Sequence, residues 1–371
     1  MRQAAMRLVV GAAAGLGAAA PAWACGAMVG PDGTVIAADA QRAAFDLRTA
    51  GEVTVHYEVR VQGDASRFGW LLPVVGQVVE VTDGAPSFFD ALEQRTAPRF
   101  DLLANNSPAP QGCACGPGSK ALSGDGNAFG GDTGLTVIEQ GYAGPFAYAV
   151  LEATAQGALE AWLVENGFSA GVAADAFAAY TADPRGVQWV AVRLAPSGAM
   201  SSDLVLPPLT VRYGPAADGQ LAVEYPARLA GTSTLPAVHT TLYVLGAGVG
   251  TVGAPWSSPP VTDSTQVLEG RSSTDSPDAV WERHLTEVGA GGLQVFQTWS
   301  GQYEDGTAWL TRFDAIHAPG TLTADLPLAD DGGQRWVDTL ITIPAPDTGG
   351  AGLLLLPLGL GAVAWGRRRR R

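Results

Sequence analysis

The stretch GEVTVHYEVRVQ, residues 51–62, decides the fold class of this 371-residue chain. Apolar and polar residues alternate strictly along it. The apolar residues, which share one face of an extended chain, are Val53, Val55, Tyr57, Val59 and Val61. The polar residues on the opposite face are Thr54, His56, Glu58 and Arg60. A period of two is typical of a half-buried strand, so the stretch predicts an antiparallel sheet.

Other segments extend this pattern along the chain. Apolar runs or alternation predict further strands at residues 68–75, 144–152, 187–194, 204–211, 221–229, 238–245, 293–303, 308–316 and 334–343. Helical spacing of apolar residues predicts helices at residues 87–95, 154–166, 172–180 and 277–288. Ser87 and Ser276 stand at N-cap positions, and Gly167 is a stop signal. We therefore expect an α+β fold, mostly antiparallel β-sheet with about four short helices.

The N-terminus has the three parts of a secretory signal. Residues 1–7 carry two arginines, residues 8–20 are uncharged and apolar, and Ala22-Trp23-Ala24 is a small-x-small cleavage site. The apolar part is too short to span a bilayer, which favours a signal peptide at residues 1–24. Cleavage would make Cys25 the first mature residue. Lipid modification of Cys25 is the alternative to ordinary cleavage.

The C-terminus predicts a membrane anchor. Residues 351–366 are apolar, and as a helix they would cover about 24 Å of a hydrocarbon core about 30 Å thick. Five arginines follow and would stay in the cytoplasm: Arg367, Arg368, Arg369, Arg370 and Arg371. Two interpretations remain, a plain anchor or a processed tail. Gly349 and Gly350, followed by the apolar run and the arginines, resemble the tails of bacterial surface proteins cut by an intramembrane sorting protease.

The charge between these two ends is strongly acidic. The chain has 22 basic and 36 acidic residues; two arginines lie in the signal and five in the tail, which leaves 15 against 36, or −21. Such a body repels phosphate backbones and anionic lipid, so nucleic-acid binding is not expected. An apolar content of 47% excludes a disordered body. We interpret the acidic surface as a determinant of solubility.

Three cysteines, Cys25, Cys113 and Cys115, are expected in an oxidising compartment and predict a disulfide. A bond from Cys25 to either of the others closes a loop of about 90 residues, for about 4–5 kcal/mol in the chain-entropy model. The alternative is a strained Cys113–Cys115 bridge, which would be easily reduced and redox-active. A zinc site is not expected, because the sequence has no second cysteine pair and no histidine near Cys113 and Cys115.

Several stretches taken in order resemble an uncharacterised family of bacterial exported proteins, catalogued as domain of unknown function 2330. They are Cys25-Gly26 and residues 68–74, 88–100, 144–168, 189–194, 225–229 and 242–245. Ala27 follows Cys25-Gly26, where members often have a second glycine. The resemblance covers residues 25–245 and implies an exported protein, with no catalytic residue to carry over.

These observations divide the chain into six parts. They are a signal peptide (1–24), the α+β domain of unknown function (25–245), a Gly/Ser/Pro-rich linker (246–276), a C-terminal α+β portion (277–343), a stalk (344–350) and a transmembrane anchor with its arginine tail (351–371).

Three motifs suggest chemistry. GFSAG at residues 167–171 fits G-x-S-x-G around Ser169, but a nucleophile elbow needs a strand to enter it, and here a helix is predicted. GVGTVG at residues 248–253 fits a dinucleotide fingerprint, but the prolines that follow prevent a helix, so a flexible linker is expected. Residues 125–136 lack two oxygen donors of a calcium loop.

Tryptophan and histidine placement gives one candidate surface. Trp70, Trp162, Trp189 and Trp281 fall on predicted core faces. Trp256, Trp299 and Trp309 are the candidates for exposure. Gln297, Trp299 and Tyr303, near Glu304 and Asp305, predict an edge that contacts polysaccharide. The histidines, expected at the surface or half-buried, show no ligand spacing: His56, His239, His284 and His317.

The sequence therefore predicts an exported protein anchored to the cell envelope, acting as a binding or structural module, with no catalytic, cofactor or metal residues assigned. Its expected partners are the membrane, a sorting protease and envelope polysaccharide. The alternative is an envelope enzyme, either a serine hydrolase through Ser169 or a thiol-redox protein through Cys113 and Cys115.

Overall fold

The computed structural model describes residues 27–30, 37–62, 69–103, 134–155, 157–194, 203–258, 265–267 and 276–344. The strands are β1 (Ala27–Val29), β2 (Ala37–Asp46), β3 (Val53–Gln62), β4 (Gly69–Val74), β5 (Gln77–Asp83), β6 (Arg99–Leu103), β7 (Leu135–Ala143), β8 (Phe146–Ala153), β9 (Gln188–Leu194), β10 (Asp203–Val205), β11 (Leu209–Gly214), β12 (Glu224–Tyr225), β13 (Val238–Gly246), β14 (Gly250–Val252), β15 (Thr265–Val267), β16 (Phe296–Tyr303), β17 (Ala308–His317), β18 (Leu326–Asp330), β19 (Val337–Asp338) and β20 (Leu340–Pro344). The helices are α1 (Phe88–Thr96), α2 (Ala158–Glu165), α3 (Ala174–Thr181), α4 (Ala227–Ala230) and α5 (Pro277–Ala290).

The predicted strand at residues 51–62 forms β3, inside a nine-stranded sheet. The order is β19-β16-β17-β13-β2-β3-β11-β5, with β10 also pairing with β3. All neighbours are antiparallel except β13 and β2. Val53, Val55 and Val59 are fully buried, which confirms the alternation read from the sequence. The prediction of an α+β protein that is mostly antiparallel is thus confirmed.

A second, five-stranded antiparallel sheet packs against the inner face of the first. Its order is β1-β4-β9-β8-β7. The main core lies between the two sheets, where Trp70 of β4 meets Tyr57 of β3 edge to face, with ring centroids 6.1 Å apart. Both rings are apolar on their faces, so this contact buries a large area at the centre of the sandwich.

Helices cover the two outer faces and complete four layers. α2 and α3 cover the five-stranded sheet, where Trp162 and Phe177 pack with Trp189. α1 and α5 cover the nine-stranded sheet. The Ser276 hydroxyl caps α5 by accepting from the Ala279 N–H at 3.1 Å, as the sequence predicted. Ser87 occupies the N-cap of α1 without a side-chain hydrogen bond.

Prolines and glycines account for the main departures from the predicted elements. The strand expected at residues 204–211 is split into β10 and β11 by Pro207-Pro208, since proline cannot donate to a ladder. The strand expected at residues 221–229 is wrong: β12 has two residues, and Pro226 precedes the short helix α4. The helix expected from residue 154 begins only at Ala158, after Gly157 in a left-handed conformation.

Part of the predicted linker at residues 246–276 has regular structure. β14 pairs with β18, so GVGTVG contains a strand and no helix begins there. Trp256 is buried in the main core. The strands β16 and β17, which follow this segment, belong to the same sheet as β2 and β3. The segment therefore connects two parts of one sheet.

The predicted signal peptide and anchor lie outside the described residues, and so does the predicted stalk except Pro344, which ends β20. Within the described ranges, no helix combines the length and hydrophobicity that crossing a bilayer requires.

Candidate binding surface

Trp336 is the large aromatic side chain that the described structure leaves most open to solvent. It is 60% exposed and lies beside β19, at the edge of the nine-stranded sheet. Its ring packs on Trp309 with centroids 5.2 Å apart at 66°. Trp309 is 2% exposed and Trp299 of the neighbouring strand is 8% exposed. One exposed indole thus packs on a buried indole at the sheet edge, and we call Trp299, Trp309 and Trp336 the aromatic edge.

Gly301 explains how the rings come so close to the backbone. A Cβ atom at this position would lie 2.6 Å from the Trp336 ring and 2.8 Å from the Trp299 ring, which is closer than real contacts allow. β16 therefore needs glycine there, so that the indoles can cover the strand directly. The short strand β19 pairs with β16 at Trp299 and Ser300 and fixes the chain next to Trp336.

Polar groups surround the aromatic edge. The Arg335 guanidinium donates from Nη2 to Gln297 Oε1 at 3.0 Å. Gln297 Nε2 has no hydrogen-bond partner among the described residues, although the side chain is buried. Gln302 is exposed on β16, the strand that also carries Gln297, and it pairs with Trp309 of β17. An exposed ring with donors and acceptors beside it can bind a ligand that has both apolar faces and hydroxyl groups.

The structure corrects the predicted polysaccharide edge. Trp256, Trp299 and Trp309, expected to be exposed, are buried, and so is Gln297. Trp256 lies in the main core, and Trp299 and Trp309 lie next to Trp336, the exposed ring that sequence reasoning missed. The signal that could have found it is its position after the polar stretch DDGGQR, residues 330–335, where little chain is available to cover a ring. Trp70, Trp162, Trp189 and Trp281 are buried as predicted.

A buried ionic network lies between α1 and the nine-stranded sheet. Arg312 donates from Nε and Nη2 to the two carboxylate oxygens of Asp314 at 2.7 and 3.0 Å, and its Nη1 lies 3.0 Å from Glu93 of α1. The hydroxyls of Thr241 and Thr298 donate to Asp314 at 2.9 and 2.6 Å. Burial alone would lower the pKa of Arg312, but Asp314 and Glu93 outweigh it and raise that pKa.

This network is a structural connection. Arg312 and Asp314 are only 5% and 3% exposed, and their charges are neutralised within the network. A second pair on the same face joins Arg42 to Glu58, with Arg42 Nε donating to the carboxylate at 2.8 Å. Arg42 also donates from Nη2 to Asp90 of α1 at 3.3 Å, so α1 is held on the sheet by this bond and by the Arg312–Glu93 ion pair as well as by apolar packing.

A second polar cluster lines a narrow pocket near one end of the sandwich. The Tyr180 hydroxyl of α3 donates to Asp325 at 2.6 Å, and the Arg228 N–H of α4 donates to the same oxygen at 3.0 Å. Burial raises the pKa of Asp325 and raises that of Tyr180 well above its usual value. Tyr57 and Tyr213 also line this pocket. The cluster connects α3 and α4 to the loop before β18.

Comparison with known proteins identifies the family. A model described as an uncharacterized protein conserved in bacteria (DUF2330) matches residues 19–329. The chain belongs to the DUF2330 family. The resemblance predicted over residues 25–245 is confirmed, and the match continues through residues 246–276 into the strands that follow. The family description names no activity.

No curated protein matches this DUF2330 chain. Among solved structures, baculovirus P35 has a TM-score of 0.33 and 10% identity, over 80% of this chain and 92% of that one. Two mutated baculovirus P35 structures after caspase cleavage have TM-scores of 0.28 and 0.27 at 8% identity. They cover 78% and 79% of this chain and 96% and 94% of theirs. TM-scores this low support no inference about this DUF2330 chain.

The structure places Ser169 after a helix. α2 ends at Glu165, and Gly167 has a φ of +83°, which confirms its role as the helix stop. The Ser169 N–H donates to the Gly30 carbonyl at 2.9 Å. No strand enters the motif, so the sharp strand-to-helix turn of a nucleophile elbow is not formed.

The other sequence candidates fall outside the described residues. These are the disulfide candidates Cys25, Cys113 and Cys115, the loop at residues 125–132, and the tail residues Gly349, Gly350 and Arg367 to Arg371. Their predicted roles stay predictions.

Two of the four histidines differ from expectation. His239 and His317 are 3% and 1% exposed, so the prediction of surface or half-buried positions is wrong for them. Burial lowers the pKa of His239 to about 3 and that of His317 to about 4. His56 and His284 are half-buried, as predicted. No three His, Cys, Asp or Glu side chains in the described ranges come together as a metal site would require.

Proposed function

We propose that this DUF2330 protein is an exported, envelope-anchored binding module whose ligand surface is the aromatic edge. The observation that carries the proposal is the 60% exposure of Trp336, whose ring packs on the buried Trp309. A tryptophan held rigidly by its neighbours offers a large contact area at little cost in conformational entropy. A ring needed only for packing would be covered more completely.

Polysaccharide is the ligand class that suits this surface. The C–H face of a sugar ring is apolar and packs on an indole face, while its hydroxyls need donors and acceptors close by. Arg335 precedes Trp336 in the chain and Gln302 pairs with Trp309, on which Trp336 packs, so both can supply them. Because the body carries a net charge of −21, from 15 basic and 36 acidic residues, it favours neutral or cationic glycans over anionic polymers.

The two ends of the chain supply the location in this proposal. The signal peptide at residues 1–24 directs export, and the apolar run at residues 351–366 with its arginines holds the C-terminus in the membrane. A sorting protease acting near Gly349 and Gly350 would replace this anchor. Membrane fractionation of cells carrying a tagged chain, with protease added outside, tests the topology: the body should be digested in intact cells or spheroplasts.

Binding is tested by co-sedimentation of the purified full-length chain in detergent with insoluble envelope polysaccharide. Trp336→Ala should weaken binding at least tenfold, whereas Trp336→Phe should retain most of it. Val164→Ala is the matched control, because Val164 is 68% exposed on α2, away from the aromatic edge. Equal binding by wild type and Trp336→Ala, with both chains folded, would overturn the assignment of the surface.

A further inference from the structure

Two strand edges with which no described strand pairs lie side by side on the sandwich, away from the aromatic edge. Among the described strands, β5 is the last strand of the nine-stranded sheet and β7 is the last strand of the five-stranded sheet. The two edges touch: a Cβ on Gly144, next to β7, would lie 2.9 Å from the Asp83 side chain of β5. We call this pair of edges the β5–β7 seam. An open edge presents backbone N–H and C=O groups that can pair with another strand.

The seam is also where exposed apolar side chains concentrate. Five large hydrophobic side chains are well exposed in the described part of the chain, and three of them lie on these two strands. They are Val79 of β5 and Ile138 and Tyr142 of β7, at 47%, 45% and 45%. Apolar side chains on an exposed strand edge promote association with other chains. The concentration of apolar side chains on two open edges therefore indicates an interaction surface.

Carboxylates line the same seam. Glu139 of β7 accepts a 2.7 Å hydrogen bond from the hydroxyl of Tyr148, which belongs to the neighbouring strand β8. Burial, Glu139 and Glu80 of β5 together raise the pKa of Tyr148 to about 12, so both carboxylates act on one hydroxyl across the seam. Arg212 pairs with Glu80 at 3.1 Å and with Glu52 at 2.9 Å. Glu139 and Asp83 add further negative charge, so the seam is acidic as well as apolar.

The negative charge and the strand edges of the seam decide which kind of molecule can bind there. A second copy of the chain would place the Glu80 and Glu139 carboxylates against their own copies, and like charges directly opposite are destabilising. An anionic lipid surface is repelled for the same reason. A glycan chain cannot continue a β-ladder, because it lacks the regular N–H and C=O groups. A cationic polypeptide in an extended conformation meets all three features of the seam.

We propose that the β5–β7 seam binds an extended peptide segment of alternating basic and apolar residues, which adds to the five-stranded sheet as a strand beside β7. β7 has nine residues, with an irregularity in its pairing to β8 between Val137 and Glu139, and its regular part from Glu139 to Ala143 gives an edge about 17 Å long at about 3.4 Å per residue. Backbone hydrogen bonds supply register and most of the affinity. Apolar side chains contact Ile138 and Tyr142, and basic ones approach Glu139. This surface is separate from the aromatic edge and stands whether or not that edge binds glycan.

The test uses three fluorescent nonapeptides and fluorescence anisotropy with the full-length chain in detergent. The first alternates Lys and Val, the second has the same sequence with alternate amides N-methylated, and the third alternates Glu and Val. The Lys–Val peptide should bind saturably. N-methylation should weaken binding at least tenfold because it removes backbone donors, and the Glu–Val peptide should not bind.

Variants of the chain locate the binding. Ile138→Ser and Glu139→Gln should each weaken binding of the Lys–Val peptide several-fold, while Val164→Ser, an exposed apolar position on α2, should not. Because the peptide series uses wild-type protein, it decides the question even if a variant folds poorly. Equal binding of the Lys–Val peptide and its N-methylated form would overturn the proposal, since it would mean adsorption by charge alone. Absence of binding by the Lys–Val peptide would overturn it as well.

Discussion

Replacing Asp314 by alanine should destabilise the protein more than most single substitutions. The Asp314 carboxylate accepts four hydrogen bonds, two from Arg312 and one each from Thr241 and Thr298, all between 2.6 and 3.0 Å. It is 3% exposed, and its partner Arg312 is 5% exposed. The substitution leaves a buried guanidinium with Glu93 as its remaining charged partner and leaves two hydroxyls without an acceptor.

The expected loss is about 3–5 kcal/mol, because removing one partner of a buried pair leaves the other charge desolvated and only partly compensated. The matched control is Asp338→Ala. Its pair with Arg99 has a similar distance of 2.6 Å, but the two side chains are 48% and 63% exposed. An exposed pair contributes about 0.2–1 kcal/mol, so the control should shift stability little. The two substitutions are chemically identical and differ in burial.

The measurement is the urea midpoint of unfolding, followed by tryptophan fluorescence. Asp314→Ala should lower the midpoint strongly with an unchanged slope, and Asp338→Ala should barely move it. A double variant, Arg312→Leu with Asp314→Leu, should recover part of the loss, because it removes the buried guanidinium that Asp314→Ala leaves, although the Thr241 and Thr298 hydroxyls still lack their acceptor. If Asp314→Ala and Asp338→Ala shifted the midpoint equally, the argument from burial would fail.

Two further predictions follow from other parts of the fold. Gly289→Ala should destabilise the protein by several kcal/mol, because the Cβ atom of the new alanine would overlap the Ile316 carbonyl oxygen beneath α5. This loss should exceed the gain of about 1 kcal/mol that alanine gives over glycine inside a helix. Thermal unfolding measures the effect, and Gly320→Ala is the control, since nothing lies within 4 Å of a Cβ atom there. Burial lowers the pKa of His317 to about 4, so the folded chain keeps this ring neutral while the unfolded chain binds a proton below its ordinary value of 6.5. The contribution of the neutral His317 ring to stability should therefore be fully present above pH 6.5 and should be lost as the pH decreases towards 4. The free energy of unfolding should fall less steeply with decreasing pH in His317→Gln. The same pH dependence of the urea midpoint in both chains would contradict this.

Local sequence patterns were sufficient to predict those helices and strands that are determined by their own residues. β3 follows from strict alternation, and α5 begins where Ser276 and Pro277 predict. The polar face of β3 shows where that reasoning ends. Alternation assigned Glu58 to the polar side of a half-buried strand, but α1 covers that side, and Glu58 is 7% exposed and paired with Arg42. Alternation distinguishes two faces of a strand without indicating which helix will pack on the polar one.

The candidate surface shows the same division. The sequence located an aromatic edge near Trp299 and Tyr303 but misplaced the exposed ring. Exposure of an indole depends on what packs above it, and β19 brings Trp336 over Gly301 from 35 residues further along the chain, from position 301 to 336. The β5–β7 seam was not predicted at all, since an edge exists only once strand order is known.

What the sequence determined by itself is the fold class, most of its strands, the cap of α5 and membership of the DUF2330 family, because each of these is encoded by local pattern or by the order of motifs. Only the tertiary structure decided which polar residues are buried, which indole faces solvent and which strand edges stay open. Those properties are set by contacts between residues far apart in the chain, such as Glu93 with Arg312, and no local pattern carries that information.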